Sequence, residues 1–251
     1  MARLSVNLNK VALLRNSRRT GVPNLLTFPA RVRAAGGMGI TVHPRPDGRH
    51  IRFDDVRSLA DRIAGWRPSF EYNIEGYPSD AFLDLVADVR PEQCTLVPDL
   101  PASFTSHKGW DLTPTEAAAL AQPITRLKSI GTRVILFVDP DASIASRVAA
   151  TGADGIEIYT GSYASAYKLR DFSKDKSVIR DLGALAHSHG LVVNAGHDLN
   201  LANIPDLLVA LPHLREASIG HELTADALIM GFEQAVARYV AALTSMSSHA
   251  P

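Results

Sequence analysis

The sequence predicts a closed (β/α)8 barrel with additional helices. Three observations carry that prediction: eight short apolar, β-branched runs, helical periodicity in the segments between them, and a helix-to-strand junction that occurs twice. The first run, Leu4-Ser5-Val6-Asn7, leads through Leu8-Asn9-Lys10 into a long connection reaching Pro29, with room for an extra helix or a lid. The second is Ile40-Thr41-Val42-His43, followed by a helix over 56–63. Phe70-Glu71-Tyr72-Asn73 is the third, with a helix over 81–89, and Thr95-Leu96-Val97-Pro98 is the fourth. A long polar connection over 99–113 then precedes a helix over 114–130, and it reads as a loop over the active face. Val134-Ile135-Leu136-Phe137-Val138 is fifth, with a helix over 144–150, and Gly155-Ile156-Glu157-Ile158-Tyr159 is sixth, with a helix over 179–187. Leu191-Val192-Val193-Asn194 and Ala217-Ser218-Ile219-Gly220 complete the set. The repeated junction is Ala-x-Gly-x-x-Gly-Ile, at Ala34 to Ile40 and Ala150 to Ile156: a helix closed by glycine and turned into the next strand. An open doubly wound sheet would place a Gly-rich dinucleotide loop after its first strand, and none follows Val6.

Composition narrows the function classes. With 251 residues, 46% of them hydrophobic, the chain can bury a large core, so residues 1–243 are expected to form one domain and 244–251 a small, polar, frayed tail. The 26 basic and 26 acidic residues cancel, which offers no basic face for nucleic acid or an anionic membrane. No apolar run approaches the ~18 residues of a membrane span, and the amino terminus lacks a secretory signal pattern. The single Cys94 sits in an apolar run, so it reads as a buried thiol in a reducing compartment, and the expected location is cytoplasmic.

In such a barrel the carboxyl-terminal strand ends line the active site. Read strand by strand, they offer Asn7, His43, Glu71, Asp99, Asp139, Glu157, His197 and His221, a set suited to several proton transfers. The segment His43-Pro44-Arg45-Pro46-Asp47-Gly48-Arg49-His50 joins an imidazole at a strand end to anion-pairing side chains in a stiff loop. Glu71 lies inside an apolar strand, where an ionised carboxylate needs either an ion-pair partner or a catalytic task; Glu157 raises the same choice. Gly196-His197 and Gly220-His221 close the seventh and eighth strands, where barrels commonly seat a phosphate on backbone N–H groups. Arg49, Arg52 and Arg57 read as solvated surface charges. A hydrolytic metal centre would want His-x-His on the first strand, which offers amides instead, and no strand-end lysine other than Lys10 is available for a Schiff base. Neither a metal nor an organic cofactor is expected. A phosphosugar isomerase or epimerase, and a barrel that only binds phosphometabolites, remain open at this stage.

Several motifs together resemble one family. They are Val6-Asn7 with Leu14-Arg15-Asn16 and Arg18, Gly39 to Ile51 around His43, Arg45 and His50, Leu96-Val97-Pro98, Ile156-Glu157-Ile158-x-Thr160-Gly161-x-Tyr163-Ala164, Val193-Asn194-Ala195-Gly196-His197 and Ile219-Gly220-His221. The combination is similar to the pyridoxine 5'-phosphate synthase family from the first strand to the last helix. The resemblance implies condensation of 3-amino-2-oxopropyl phosphate with 1-deoxy-D-xylulose 5-phosphate, and assembly as a homo-oligomer, typically an octamer. It implies His43 as a proton acceptor, Glu71 as a second base near the condensing amine, His197 as a proton donor and Glu157 as a stabiliser of polarised intermediates. Arg45, His50 and Thr105 would hold the ketose phosphate, and Asn7, Arg18, Gly220 and His221 the amino-ketone phosphate with the residue after His197. Two departures stand out. Asn9-Lys10 occupies the place of a frequent Asp-His pair in the ketose contact, and Asp198 that of a frequent glycine.

Overall fold

The structure is a computed structural model that describes residues 1–99 and 108–245. Eight parallel strands close into a barrel in chain order: β1 (Arg3–Asn7), β2 (Gly39–Val42), β3 (Glu71–Gly76), β4 (Gln93–Leu96), β5 (Arg133–Val138), β6 (Gly155–Tyr159), β7 (Val192–Gly196) and β8 (Leu214–Ile219), with β8 pairing back onto β1. Around it run α1 (Asn9–Asn16), α2 (Phe28–Ala34), α3 (Phe53–Ile63), α4 (Asp80–Val89), α5 (Pro114–Ser129), α6 (Ile144–Thr151), α7 (Gly161–Lys168), α8 (Ser173–Ser188), α9 (Ile204–Ala210), α10 (His221–Met230) and α11 (Phe232–Thr244). The additional helices are α1 in the first connection, α7 before α8, and α10 before α11. Thr244 ends α11, and residues 246–251 of the expected tail lie outside the described residues. No described helix is long and apolar enough to cross a membrane.

Both copies of the predicted junction do what their glycines imply. Gly36 and Gly152 turn the chain at φ of +92° and +79°. Gly39 and Gly155 open β2 and β6 so close to the next strand that a Cβ would lie 2.5 Å from the Glu71 carbonyl oxygen and 2.4 Å from that of Val192.

Strand residues alternate between the helices and the lumen. Val6, Ile40, Tyr72, Ile74, Leu136 and Ile158 are buried in the apolar layer between barrel and helices. The lumen is polar, which is unusual for a barrel whose interior is ordinarily filled by branched apolar side chains. Contacts between strands that are not neighbours run straight through it: Gln93 on β4 donates to Glu216 on β8 at 3.0 Å, and Asn194 on β7 donates to Gln93 at 3.1 Å. Above them a hydroxyl and amide belt links Ser5, Thr41, Asn73 and Thr95 to Glu157.

The third strand corrects an expectation. It runs to Gly76 rather than ending at Asn73, because Glu71, Asn73 and Glu75 all face the polar lumen while Tyr72 and Ile74 face the helices. Glu71 is therefore the first residue of β3, at the amino-terminal end of the barrel. There its carboxylate pairs with Arg3 at 2.7 Å, with Arg215 at 2.8 Å and with Arg133. Burial alone would raise its pKa, but Arg133, joined by Arg215 and Arg3, brings it below the usual carboxylate value. Glu71 is the ion-paired alternative, held far from the strand ends where its chemistry was expected.

Candidate functional site

A cavity of about 440 Å³ opens at the carboxyl-terminal end of the barrel. Asn7, Asn9, Lys10, His43, Arg45, His50, Glu157, His197, Asp198, Gly220 and His221 all line it, as the strand-end reading requires. Of the expected residues that the structure describes, two do not join them, and a third cannot be placed. Glu71 lies at the other end of the barrel; Arg18 is exposed beyond α1 and forms no part of the wall; Thr105 lies outside the described residues. Several wall residues were missed, among them Glu75, Tyr159, Ser218, Glu222 in the first turn of α10, and Arg49, which was set aside as a surface charge. The period-2 spacing of Glu71, Asn73 and Glu75 was the signal for the first.

The walls are built from the strand ends inward. Asn7 closes β1 and accepts the backbone N–H of Asn9 at 2.9 Å, while Asn9 turns its own side-chain oxygen onto the backbone N–H of His43 at 2.9 Å. Asn9 thus fixes the main chain of His43 as well as facing the cavity. The imidazole of His43 is held down to a pKa of about 3 by burial, then by the nearby His50, Arg45 and His197, so it stands neutral. His50, its ring centre 6.0 Å away, is lowered to about 4, chiefly by burial and by Arg45. The Nδ1 of His50 accepts the backbone N–H of Ile51 at 2.9 Å, which leaves Nε2–H to donate to a ligand.

Arg45 is 4% exposed and lies 3.6 Å from the Asp99 carboxylate and 3.9 Å from that of Asp47. Arg49 pairs with Asp47 at 2.5 Å and lines the same side of the cavity. Lys10 stands close enough to depress His50. This side is a cationic grip.

Three carboxyls share the lumen beneath. Glu75 accepts one long hydrogen bond, 3.4 Å from the Asn7 amide, and its pKa is raised to about 8 by burial, Asp99 and Glu216. Burial pushes Glu157 well up as well, reinforced by Glu75 and Glu216, and Glu216 itself to about 7. Both shifts favour the neutral acid at Glu75 and at Glu157. Ion-paired Glu71 on the same strand is shifted the opposite way.

At the far side of β1, Gly220 approaches Asn7 so closely that a Cβ would lie 3.0 Å from the Asn7 Cβ. His221 then begins α10, whose first-turn N–H groups and helix dipole favour an anion. The His197 ring packs against those of Phe137 and Tyr159, at 4.9 and 5.2 Å, and the two are in contact with each other at 5.8 Å. Asp198 keeps a left-handed φ of +56°, the conformation a glycine would adopt freely there. Among the described residues no group of three or more His, Cys, Asp or Glu is arranged to hold a metal ion.

A family model described as "Pyridoxal phosphate biosynthesis protein PdxJ" matches residues 4–245. Pyridoxine 5'-phosphate synthase of Brucella anthropi is 48% identical over 248 residues, 96% of this chain and 99% of its own length. The enzyme of the same name from Brucella suis is 48% identical over 247 residues, 96% and 98% of the two chains. Among solved structures, tryptophan synthase from M. tuberculosis superposes with a TM-score of 0.63 at 14% identity, covering 96% of this chain and 93% of that one. A phosphoribosyl anthranilate isomerase superposes with a TM-score of 0.57 at 13% identity, covering 98% and 100%. At such identities these structures share the fold.

Proposed function

The chain belongs to the PdxJ family of pyridoxal phosphate biosynthesis proteins and acts as a pyridoxine 5'-phosphate synthase; from that premise we propose how its pocket performs the condensation. The substrates are 3-amino-2-oxopropyl phosphate and 1-deoxy-D-xylulose 5-phosphate, and the products are pyridoxine 5'-phosphate, inorganic phosphate and water. One observation supports this reading: His43, Glu75, Glu157 and His197 line a single cavity together with two clusters suited to anions, Arg45 and His50 after β2 and Gly220 and His221 after β8, on opposite sides of β1. An isomerase acting on one phosphosugar needs one grip; two phosphorylated substrates need two.

Arg45 and His50, with Lys10 and Arg49 beside them, hold the ketose phosphate and receive it as it leaves. Asn7, Gly220 and His221 hold the amino-ketone phosphate at the start of α10, with the backbone N–H of Asp198. His43 accepts protons, being neutral at physiological pH. Glu75, hydrogen-bonded to Asn7, takes the place beside the condensing amine that the sequence had suggested for Glu71. It donates a proton as hydroxyl leaves the carbinolamine: the C–O bond breaks, water departs and the nitrogen lone pair forms the C=N bond. Glu157 stabilises the polarised intermediates, and His197 donates protons in the later dehydration.

The protein acts in the cytoplasm as a homo-oligomer, an octamer by its family resemblance. Leu13 and Leu14 on α1 and Leu228 and Ile229 on the adjoining α10 support assembly, the last two being 78% and 86% exposed. Light scattering on the purified chain checks it, and a monomer at micromolar concentration refutes it. The activity is tested by supplying both substrates and following pyridoxine 5'-phosphate and phosphate release. His43→Ala abolishes turnover and spares ketose phosphate affinity, whereas Arg45→Ala mainly raises the KM for the ketose. The reverse pattern overturns these roles.

A further inference from the structure

The stretch Thr160-Gly161-x-Tyr163-Ala164 has no part in the chemistry above, yet it is tied to the loop that carries His197. Thr160 follows β6, is 0% exposed and occupies the N-cap position of α7. A threonine at an N-cap ordinarily turns its oxygen onto an N–H of the first helical turn. Here that bond is not made. The hydroxyl instead points across to β7, within 2.6 Å of the carbonyl oxygens of both Gly196 and His197, while the backbone N–H of Thr160 donates to Gly196 at 2.9 Å.

Those carbonyls belong to an elbow with an uncommon backbone. His197 and Asp198 are consecutive non-glycine residues with φ of +81° and +56°, a conformation that persists only where the surroundings enforce it. The far side of the elbow is tied to the same helix. Asn203, 0% exposed, donates to the carbonyl of Asp198 at 3.1 Å, and its own carbonyl accepts the Tyr163 hydroxyl at 2.7 Å. Gly196 adds a reason for the elbow to be held still: a Cβ there would lie 2.2 Å from a Glu157 carboxylate oxygen, so Glu157 rests against the same backbone.

We propose that Thr160 is a positioning residue for His197, its hydroxyl holding the left-handed elbow that aims the imidazole into the pocket. The inference rests on the functional reading above, in which His197 is a proton donor. It explains why the hydroxyl is diverted from its own helix: the two carbonyls within its reach belong to the peptides on either side of the His197 Cα, whose φ and ψ set the direction of the ring.

The test uses the full chain with Thr160→Val, which keeps the shape and removes the donor, and Thr160→Ser, which restores it. Steady-state turnover with both substrates is read beside the NMR titration of the His197 ring in the substrate-free protein. Misplacing a catalytic group by about 1 Å costs up to about 100-fold, so Thr160→Val is expected to lose about 10- to 100-fold in kcat with either KM changed less than about 3-fold. Thr160→Ser recovers most of the rate, and the His197 resonances move in the valine variant and return in the serine variant. A purely structural role would lower the melting temperature while kcat and the His197 titration stay at their wild-type values well below it, and that result overturns the proposal. So does a serine variant as impaired as the valine one. A wild-type protein that forms no product overturns the functional reading instead, and the ring titration still decides whether Thr160 positions His197.

Discussion

Glu71 offers a sharp separation of stability from chemistry. Replacing it with Gln removes the carboxylate that pairs with three guanidinium groups at the amino-terminal end of the barrel and leaves untouched the cavity, about 13 Å away, four residues along β3 at about 3.3 Å each. Arg133, 20% exposed, makes a charge-assisted contact worth about 1.5–3 kcal/mol. Arg3 and Arg215, at 40% and 37%, are better solvated and contribute about 0.2–1 kcal/mol each. The expected loss is about 2–5 kcal/mol near neutral pH, or a melting temperature lower by about 4–20 °C at about 2–4 °C per kcal/mol. The pH dependence has a definite sign. The folded pKa of Glu71 lies below its ordinary value of 4.5, so its stabilisation is complete above that value and disappears as pH falls through the folded pKa. The difference between wild type and variant should therefore shrink below about pH 4.5. Calorimetry and denaturant titration at pH 7 and pH 3.5 measure it, beside kcat at a temperature where both proteins are folded. A variant as stable as wild type but slower by a hundredfold or more would refute the placement of Glu71 away from the chemistry.

Other expectations follow from the same geometry. Glu75→Gln should lower kcat by about 10²–10⁴ without lowering the melting temperature, because it removes a proton donor and no ion pair. In the wild type, kcat/KM should fall as pH rises through about 8, where Glu75 ionises, and a profile flat to pH 10 would speak against the neutral acid. His43 and His50 should titrate by NMR far below the ordinary histidine value of 6.5, near about 3 and about 4; midpoints above 6 would contradict the burial and cationic neighbours invoked for them. Gly196→Ala should destabilise by about 1–3 kcal/mol through overpacking and also slow turnover, since the new methyl occupies the place of a Glu157 carboxylate oxygen. An alanine variant with full activity would show that Glu157 need not rest there.

Much of the site was legible because it is local. A strand end followed by a turn is a short-range signal, so His43, His197, Gly220 and His221 were found where β2, β7 and β8 stop, and Glu157 two residues before the end of β6. The glycine junctions were legible for the same reason. Glu71 and Glu75 were not told apart, because strand reading assumes an apolar interior and treats a second carboxylate as the beginning of a loop. Only a lumen lined with Gln93, Asn194, Thr95 and Glu216 accommodates both, and that lining is assembled from strands distant in sequence. Arg49 was set aside because nothing in its neighbourhood along the chain says which way its loop folds, whereas the closed barrel brings it to the cavity beside Arg45.

By itself the sequence determined the barrel, the strand-end chemistry and the family resemblance, since hydrophobic periodicity and short motifs are properties of neighbouring residues. Tertiary structure alone decided which carboxyls stay charged and which stay neutral. Glu71 meets three arginines from β1, β5 and β8, and Glu75 meets Asp99 and Glu216 in a buried lumen. Protonation depends on charges and solvent brought together across the fold, and no segment of the chain carries that information alone.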